Sequence, residues 1–468
     1  MTALWTSAEL ASATGGTASG DFAVGGVTFD SREVMPGDLF IALKGEKMDG
    51  HSFLAQAYAA GAAGALVSDP ARLPSADAPH VAVRDTFAAL NDLARASRRR
   101  MGGKVIGVTG SAGKTGVKEA LRLALDRSAP GRTHASVKSY NNHTGVPLSL
   151  ARMPQDSLYG VFEMGMNHPG ELTELARLVR PHVAIVTTIA SAHRAFFASE
   201  EAIADAKAEI FTGLEPGGTA VLNRDNPHYA RLRAAAEASG AARIISFGVK
   251  AADADVRPLK VAPSDICTSM TADVLGERLT FKIGMPGEHW ALNALGVLAV
   301  VKAVGADLGL AGLALGEMQG LEGRGQRSFI AVGAGKAMLL DESYNANPAS
   351  MAAALSVLGG FEPRRRGRRI AVLGAMKELG DETAAMHADL AGSIEAAGVA
   401  EAILVGAEMA ALAEALPARI PHHVVGSAEE ALTLLRDMVR ADDIILVKGS
   451  NSVGLGRVVR SLNQHGVE

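Results

Sequence analysis

The sequence predicts an α/β protein of three domains: a small α/β N-terminal domain, a central parallel-sheet domain and a C-terminal Rossmann-like domain. Three observations support this fold class. The chain has 468 residues, and a domain typically holds about 150 residues. Short apolar segments alternate with helical segments, which is the pattern of parallel α/β sheets. Glycine is abundant at 52 residues while aromatic residues make up 4%, so we expect many tight turns around an aliphatic core.

Composition and charge exclude several classes of protein. Hydrophobic residues make up 48% and charged residues 21%, which is ordinary globular usage and excludes gross disorder. The net charge of −4 argues against a nucleic-acid partner. Cys267 is the single cysteine, which excludes a disulfide framework and a cysteine-based zinc cluster. The chain starts without a signal-peptide pattern and has no apolar run of about 20 residues, so we expect no membrane insertion and a cytoplasmic protein.

The first domain is predicted to span residues 1–101. Thr6 and Glu9 have the spacing of a capping box and predict a short helix after them. Apolar segments predict strands at 26–29, 38–43 and 65–68, and helices near 52–61 and at 87–100. The pair Gly102-Gly103 follows the last helix and predicts a hinge between this domain and the next.

The central domain is predicted to span residues 102–321 and the C-terminal domain residues 322–468, divided near the glycine-rich segment 320–325. Strands of the central sheet are predicted at 104–109, 159–164, 183–189, 219–223 and 243–247. Residues 254–283 predict an antiparallel insertion, and residues 288–304 and 308–318 predict helices. Strands of the second doubly wound sheet are predicted at 337–341, 369–373, 402–405 and 444–447.

A glycine-rich segment, Gly107-Val-Thr-Gly-Ser-Ala-Gly-Lys-Thr115, follows an apolar strand and opens a helix. In such a loop backbone N–H groups point at a phosphate, the helix N-terminus adds partial positive charge and a lysine adds a full charge. Lys114 is therefore predicted to bind phosphate, and Thr115 to place its hydroxyl on Mg²⁺. Val108 stands where the usual P-loop has its first glycine. A purely structural glycine turn is the alternative, but the strand–loop–helix setting favours a nucleotide.

Further candidates lie along the central domain. Glu163 ends an apolar strand, where an acid beside a P-loop is typical of a metal site and a solvent-facing strand end is the alternative. His193 ends another strand segment and by itself is more typical of a structural histidine. Lys207 lies on an amphipathic helix and by itself is typical of a surface lysine. His289 and Asn293 share one face of a helix and either reach a nucleotide or cap and pack the helix.

Two polar segments end strands of the C-terminal domain. The segment Asp341-Glu-Ser-Tyr-Asn-Ala-Asn-Pro348 runs from a strand end into a loop before a helix, and Lys448-Gly-Ser450 follows another strand. Polar residues at the carboxyl ends of strands form the ligand edge of an α/β sheet. Helix-capping turns are the alternative for both segments.

Together these segments resemble the Mur ligases, the ATP-dependent amide-forming enzymes of peptidoglycan precursor synthesis. The resemblance covers nearly the whole chain in the same order, and Thr109–Thr115 is similar to the short P-loop of the family. Three segments narrow the resemblance to one member of the family: Asn141-Asn142 with Gly145-Val-Pro147, Glu163–His168 and Asp341–Pro348. They resemble the member that adds D-alanyl-D-alanine, whereas the Asp-Asn-Pro-Arg signature of the member that adds a diamino acid is absent from the sequence.

The resemblance implies a role for each candidate residue. The central domain would be the ATPase domain, and the catalytic residues would be Lys114, Glu163, His193 and Lys207. ATP would contact Thr109, Gly110, Ser111, Ala112, Gly113, Lys114, Thr115, His289, Asn293, Arg324, Asp341 and Asn345. The other substrates would contact Ser31, Arg32, Gly45, Asp49, His51, Asn141, Asn142, Asn347 and Lys448. Two Mg²⁺ ions would be held by Thr115, Glu163, His193 and Lys207, the last as a carbamate that requires a depressed lysine pKa.

The implied reaction has two steps and no Ser or Cys nucleophile. The terminal carboxylate of a UDP-muramoyl-tripeptide attacks the γ-phosphate of ATP, and the amine of D-alanyl-D-alanine then attacks the resulting acyl phosphate. The first domain would bind the uridine nucleotide, and the third would close over the second and exclude water. We expect a monomer.

The chain departs from the family pattern at three places. After His193 the chain reads Arg194-Ala195 where Leu-Glu is usual, Glu342 replaces a second Asp, and Ala375 replaces an acid. One alternative is a sister ligase of the Mur or folylpolyglutamate type, which would share the P-loop and the lysine of the carbamate. The other is a nucleotide-binding relative with weakened catalysis, for which only Ala195 and Ala375 argue.

Overall fold

A computed structural model describes residues 3–45, 48–190, 196–364 and 366–467. These ranges contain sheets of five, nine and six strands and a two-stranded ribbon, with helices packed against the sheets. The predicted α/β class is confirmed. No helix in the described ranges is long and apolar enough to cross a membrane.

The N-terminal part of the chain forms the five-stranded sheet, in the order β2-β7-β6-β5-β4 with β2 antiparallel to β7. Its strands and those of the ribbon are β1 Trp5–Thr6, β2 Thr17–Ala18, β3 Ala23–Val24, β4 Gly26–Thr28, β5 Asp38–Ile41, β6 Gly64–Val67 and β7 His80–Ala82. Its helices are α1 Ser7–Thr14, α2 Leu54–Ala59 and α3 Thr86–Arg100. The predicted capping box at α1 is confirmed, because Thr6 and Glu9 each bond the other's backbone N–H.

The central sheet has the order β16-β15-β14-β13-β12-β11-β8-β10-β9 and is parallel from β9 to β14. Its strands are β8 Lys104–Thr109, β9 Thr133–Ala135, β10 Tyr159–Glu163, β11 Val183–Val186, β12 Thr219–Asn223, β13 Arg243–Phe247, β14 Val256–Pro263, β15 Thr268–Val274 and β16 Glu277–Ile283. Its helices are α4 Lys114–Ser128, α5 Gly145–Ala151, α6 Glu171–Val179, α7 Glu200–Ala208, α8 Tyr229–Ala238, α9 Glu288–Val304 and α10 Leu308–Glu317.

The predicted antiparallel segment at 254–283 is present, but it extends the central sheet instead of forming a separate insertion. Val256 of β14 pairs in parallel with Phe247 of β13, while β14, β15 and β16 pair with one another antiparallel. Apolar residues of these strands pack with α9 and α10 in the same core as the P-loop strand. This continuous core stabilises the helix that carries His289 and Asn293.

The C-terminal sheet has the order β17-β18-β22-β19-β20-β21, with β17 antiparallel at one edge. Its strands are β17 Gln326–Val332, β18 Gly335–Glu342, β19 Arg369–Gly374, β20 Glu401–Val405, β21 His422–Val425 and β22 Ile444–Lys448. Its helices are α11 Pro348–Gly360, α12 Thr383–Ala388, α13 Leu390–Ala396, α14 Ala410–Ala415, α15 Ala428–Met438 and α16 Gly456–His465. The edge strands β17 and β21 were not predicted; both carry exposed apolar residues, such as Phe329 and Val424.

Candidate active site

The P-loop connects the carboxyl end of β8 to α4, and the end of the neighbouring strand β11 fixes its shape. Gly110 has φ 146°, and a Cβ there would lie 2.0 Å from Thr187 Oγ1. The Thr187 hydroxyl donates to Ala112 O at 2.5 Å, and the Ser111 N–H donates to Thr188 O at 2.8 Å. These bonds hold the loop in one shape before any ligand binds, which is the preorganisation that a phosphate site requires.

Lys114 folds back over the loop that precedes it. Its Nζ donates to Gly110 O at 2.7 Å. Burial lowers the pKa of Lys114, while the nearby Glu163 carboxylate acts in the opposite direction. A poorly hydrated ammonium attracts a phosphate more strongly than a fully hydrated one.

Glu163 lies at the end of β10, directly beside the P-loop. The carboxylate is 1% exposed and accepts hydrogen bonds from Thr115 Oγ1 at 2.8 Å and Asn141 Nδ2 at 2.7 Å. A hydroxyl, a carboxylate and an amide oxygen are the donor types that Mg²⁺ prefers. His193 lies outside the described residues, and within them no group of three or more His, Cys, Asp or Glu side chains converges.

Lys207 on α7 is 1% exposed, so the surface position that its helix pattern alone indicates is wrong. Burial holds the pKa of Lys207 well below its usual value, and the positive charge of Lys114 lowers it further. Because the amine is neutral more readily than that of an ordinary lysine, it is suited to react with CO₂.

His289 and Asn293 occupy one face at the start of α9. A Cβ at Gly113 would lie 3.1 Å from Asn293 Oδ1, so the amide side chain lies against the P-loop. Burial lowers the pKa of His289 to about 4, and the Lys448 ammonium contributes to the shift. The imidazole is therefore neutral at pH 7 and can accept a hydrogen bond.

We expect the free energy of unfolding to fall with acidification in a way that depends on His289. Between pH 6.5 and about 4 the unfolded state binds a proton at His289 that the folded state excludes, so stability is lost as the pH falls. His289→Gln removes this loss. Urea midpoints at pH 7 and pH 5 should therefore differ less in His289→Gln than in the parent protein. A variant at the exposed His465, His465→Gln, is the control, and an equal change in both variants would contradict the expectation.

Two side chains of the C-terminal domain bond to residues near the P-loop. Arg324 Nη2 donates to Ser139 Oγ at 3.1 Å, and its guanidinium lies 3.9 Å from the ring centre of Tyr344. Asn347 caps α11 and donates from Nδ2 to Ser111 O at 3.3 Å. The two contacts bring predicted ATP and substrate residues of different domains to the same cleft.

Other candidates of this domain shape its loops through bonds within the chain. Asp341 is 2% exposed and accepts from Gly323 N at 2.7 Å and from Ser343 Oγ at 2.6 Å. Lys448 Nζ donates to Asn345 O at 2.9 Å and lies 3.7 Å from Glu342 Oε2. Burial raises the pKa of Glu342 and lowers the pKa of Lys448. Direct ligand contacts of Asp341, Asn345 and Lys448 stay predictions.

Candidates of the N-terminal domain also bond within the chain. His51 is 3% exposed, and its two ring nitrogens contact Asp49 Oδ1 at 2.7 Å and Ser68 N at 3.0 Å. Ser31 Oγ donates to Gln56 Oε1 at 3.1 Å. The imidazole thus fixes the loop that carries Asp49, and a direct substrate contact of His51 stays a prediction.

Three further predicted substrate residues have different surroundings. Arg32 pairs with Asp30 at 2.6 Å, and its side chain is 81% exposed. Gly45 is exposed in a loop. Asn142 Oδ1 accepts from Gly145 N, the first residue of α5, at 2.9 Å. Arg32 and Gly45 are therefore accessible to a ligand, whereas the Asn142 side chain is used in holding the helix.

A cleft of about 820 Å³ separates the central and C-terminal domains. Thr115 and Ser139 line one wall, and Arg324, Asp341 and Tyr344 line the other. Thr115, whose hydroxyl bonds to Glu163, therefore borders a space that lies between both domains. Such a cleft has room for a nucleotide phosphate and a second reactant side by side.

Three stretches of the chain match domain families of one group of enzymes. Residues 108–301 match the Mur ligase middle domain, residues 327–451 the Mur ligase glutamate ligase domain and residues 23–98 the Mur ligase family catalytic domain. The chain belongs to the Mur ligase family. A relative named UDP-N-acetylmuramoyl-tripeptide–D-alanyl-D-alanine ligase, from Escherichia coli strain K12, is 35% identical over 95% of each chain. The relative of the same name from Bacillus subtilis strain 168 is 32% identical over 93% of each chain.

Solved structures of Mur ligases have the same fold. MurF from Acinetobacter baumannii is 30% identical with a TM-score of 0.82, covering 98% of this chain and 99% of that chain. MurF from Thermotoga maritima, solved in complex with ADP, is 26% identical with a TM-score of 0.76, covering 94% and 97%. The three-domain fold and the resemblance inferred from the sequence are confirmed.

Sequence patterns missed several polar residues that shape the site of this Mur ligase. Thr187 follows β11 and fixes the P-loop, and Ser139 lies between Thr115 and Arg324, its Oγ 3.5 Å from Thr115 Oγ1. Asn226 donates from Nδ2 to Ile189 O at 2.8 Å and so holds the chain that follows β11. A signal existed for Ser139, which lies two residues before the predicted pair Asn141-Asn142. No local pattern distinguishes Thr187 or Asn226 from other loop residues.

Proposed function

We propose that this Mur ligase joins D-alanyl-D-alanine to UDP-N-acetylmuramoyl-tripeptide, using ATP and releasing ADP and phosphate. The observation that carries the proposal is the placement of Lys114, Thr115 and Glu163 at one sheet edge, where Thr115 lines the cleft beside the C-terminal domain. The relatives that carry this activity in their names match nearly the full length of the chain. Because the reactants are nucleotide-linked precursors and ATP, we place the reaction in the cytoplasm.

The proposed mechanism needs positioning and charge more than a nucleophile from the protein. The substrate carboxylate and the γ-phosphate of ATP are both anionic, so their approach requires cations, and Lys114 supplies one. The carboxylate attacks the γ-phosphorus, ADP leaves, and an acyl phosphate results. The amine of the dipeptide then attacks the acyl carbon, loses a proton and expels phosphate. Arg324 and Asn347 hold the C-terminal domain against the P-loop domain, which keeps water away from the acyl phosphate.

Magnesium and a lysine carbamate are part of the proposal. The residues near Glu163 fit Mg²⁺, because Thr115 offers a hydroxyl and Glu163 a carboxylate that is almost completely buried. A carbamate on Lys207 would add a second carboxylate-like group, and His193 is the further ligand that we propose for a second ion. When bound, Mg²⁺ neutralises phosphate charge and orients the leaving group.

We also propose a division of labour among the domains. Residues 1–101 would bind the uridine nucleotide, residues 102–321 would bind ATP and residues 322–468 would bring the dipeptide and close the cleft. The N-terminal domain is fastened to the central one, because Trp5 Nε1 donates to Ala151 O at 2.8 Å and Arg152 Nε donates to Val27 O at 2.5 Å. This attachment supports a fixed distance between the uridine and the reacting carboxylate.

The activity is tested by measuring phosphate release from ATP with purified protein. We expect release only when UDP-muramoyl-tripeptide and D-alanyl-D-alanine are both present, together with a product of the mass of the pentapeptide. Release that does not depend on the dipeptide would contradict the proposed substrate. Single amino acids in place of the dipeptide test a sister ligase, and stabilisation by ATP without any product would instead favour a nucleotide-binding protein.

A further inference from the structure

Lys118 is a completely buried charge to which the mechanism above gives no role. It lies on α4, one turn after the P-loop, and is 0% exposed. Its Nζ donates to Ser136 O at 2.8 Å, Lys138 O at 3.1 Å and Glu119 Oε1 at 2.5 Å. Burying an ammonium is costly unless it is paired and hydrogen-bonded. All three bonds converge on one ammonium, and two of them end on the backbone of one short segment.

That segment, residues 136–142, is here called the bridging segment. Lys138 has φ 53°, a left-handed conformation that a non-glycine residue adopts only when its surroundings impose it. The Lys138 carbonyl is one of the two that Lys118 holds. The buried ammonium therefore stabilises a backbone shape that the local sequence disfavours.

The bridging segment contacts all three domains. Toward the N-terminal domain, Lys138 and Tyr140 bond to Glu33, the latter at 3.1 Å. Toward the C-terminal domain, Ser139 Oγ accepts the bond from the Arg324 guanidinium.

Within the central domain the bridging segment contacts Glu163 and Thr115, the residues that we propose as Mg²⁺ ligands. Asn141 Nδ2 donates to Glu163 Oε1 at 2.7 Å, and Ser136 Oγ accepts from Glu163 N at 3.3 Å. Ser139 Oγ lies 3.5 Å from Thr115 Oγ1. Glu33 adjoins the proposed uridine-binding residues Ser31 and Arg32 in the chain, so a single segment connects the neighbourhoods of both substrates.

We propose that Lys118 is a positioning residue that fixes the bridging segment, and through it aligns Glu163, Thr115 and Arg324 across the cleft. It touches no reactant. The P-loop itself is held by other bonds, from Thr187 and Ser111. Loss of Lys118 should therefore disturb the reacting geometry more than the binding of ATP.

The test compares Lys118→Met with the parent protein in two measurements. In steady-state kinetics we expect kcat to fall about 30-fold while KM for ATP changes less than about threefold, the pattern of a lost transition-state alignment. In amide hydrogen exchange without substrates we expect residues 136–142 to exchange at least about tenfold faster and residues 109–115 to keep their rate. The kinetic measurement rests on the proposed ligase activity, whereas the exchange measurement does not.

Leu125→Ala is the matched control, since Leu125 lies on the same helix, is 0% exposed and packs into the apolar core. It should lower the melting temperature by several degrees with kcat within about twofold of the parent. If Lys118→Met does not fold, Lys118→Gln is measured in the same way. The glutamine side chain is shorter than that of lysine and carries no charge. Unchanged exchange of the bridging segment, or a kcat equal to that of the control, would overturn the proposal.

Discussion

Lys114→Met should lower kcat/KM for ATP about 1,000-fold, a loss of about 4 kcal/mol of transition-state stabilisation. The reason is the place of the ammonium: it lies over Gly110 O at 2.7 Å, in surroundings where burial lowers its pKa. A charge with little water around it interacts strongly with a phosphate that gains negative charge at its bridging oxygen. Methionine keeps the length of the side chain and removes the charge. The measurement is phosphate release at varied ATP with both other substrates saturating.

We do not expect Lys114→Met to destabilise the folded protein. The parent protein loses hydration of the Lys114 ammonium on folding and regains about 1 kcal/mol from the bond to Gly110 O. We therefore expect the melting temperature of Lys114→Met to equal or exceed that of the parent. Lys104→Met, at an exposed lysine on the first residue of β8, is the control and should keep full activity. A large fall in melting temperature would mean that the lost activity reflects misfolding and not a missing charge.

Sequence patterns predicted the parts of the site whose residues lie close together along the chain. The P-loop follows from β8, four loop residues and the start of α4, because its geometry depends on neighbouring backbone groups. Glu163 was found for a related reason, since the carboxyl ends of parallel strands meet at one edge and Glu163 ends the strand beside β8. Helix α9 was predicted with its observed bounds because both of its ends carry glycine signals, Gly287 and Gly305.

What sequence patterns missed depends on contacts between distant parts of the chain. The helix pattern of Lys207 gave no sign that the α7 face carrying it is covered, because burial there comes from packing against other elements. The support of the P-loop by Thr187 joins residues 75 apart, and the contact of Asn347 with Ser111 joins residues 236 apart. Short polar side chains of this kind have no period or motif of their own.

The proposed reaction of this Mur ligase brings anionic reactants together. The negative reactants need local cations although the net charge of the chain is −4. Arg324 lines the cleft and Lys114 lies near Glu163, and we propose that the buried Glu163 carboxylate holds a metal ion.

Lys207→Ala should lower kcat by about 100- to 1,000-fold, and added formate or acetate should restore part of the lost activity. The amine is buried, and its pKa lies well below the usual value because of burial and the charge of Lys114. A neutral amine combines with CO₂ to form a carbamate and releases one proton, which turns a basic side chain into an anionic oxygen ligand. Alanine removes that ligand and leaves space for a small carboxylate. The measurement is phosphate release at rising acetate, with sodium chloride at equal ionic strength as the control.

The outcomes separate a carbamate from a lysine that acts as an amine or only fills space. A carbamate predicts that carboxylates rescue Lys207→Ala and leave the parent unchanged, while short alkylamines do not rescue. It also predicts that depletion of bicarbonate slows the parent and not the variant. Rescue by methylamine alone would show that an amine at this position supports activity, and would contradict the carbamate. Full activity of Lys207→Ala would refute the carbamate. The buried lysine would then need another explanation, because replacing a buried charged group with an apolar residue is often neutral or stabilising.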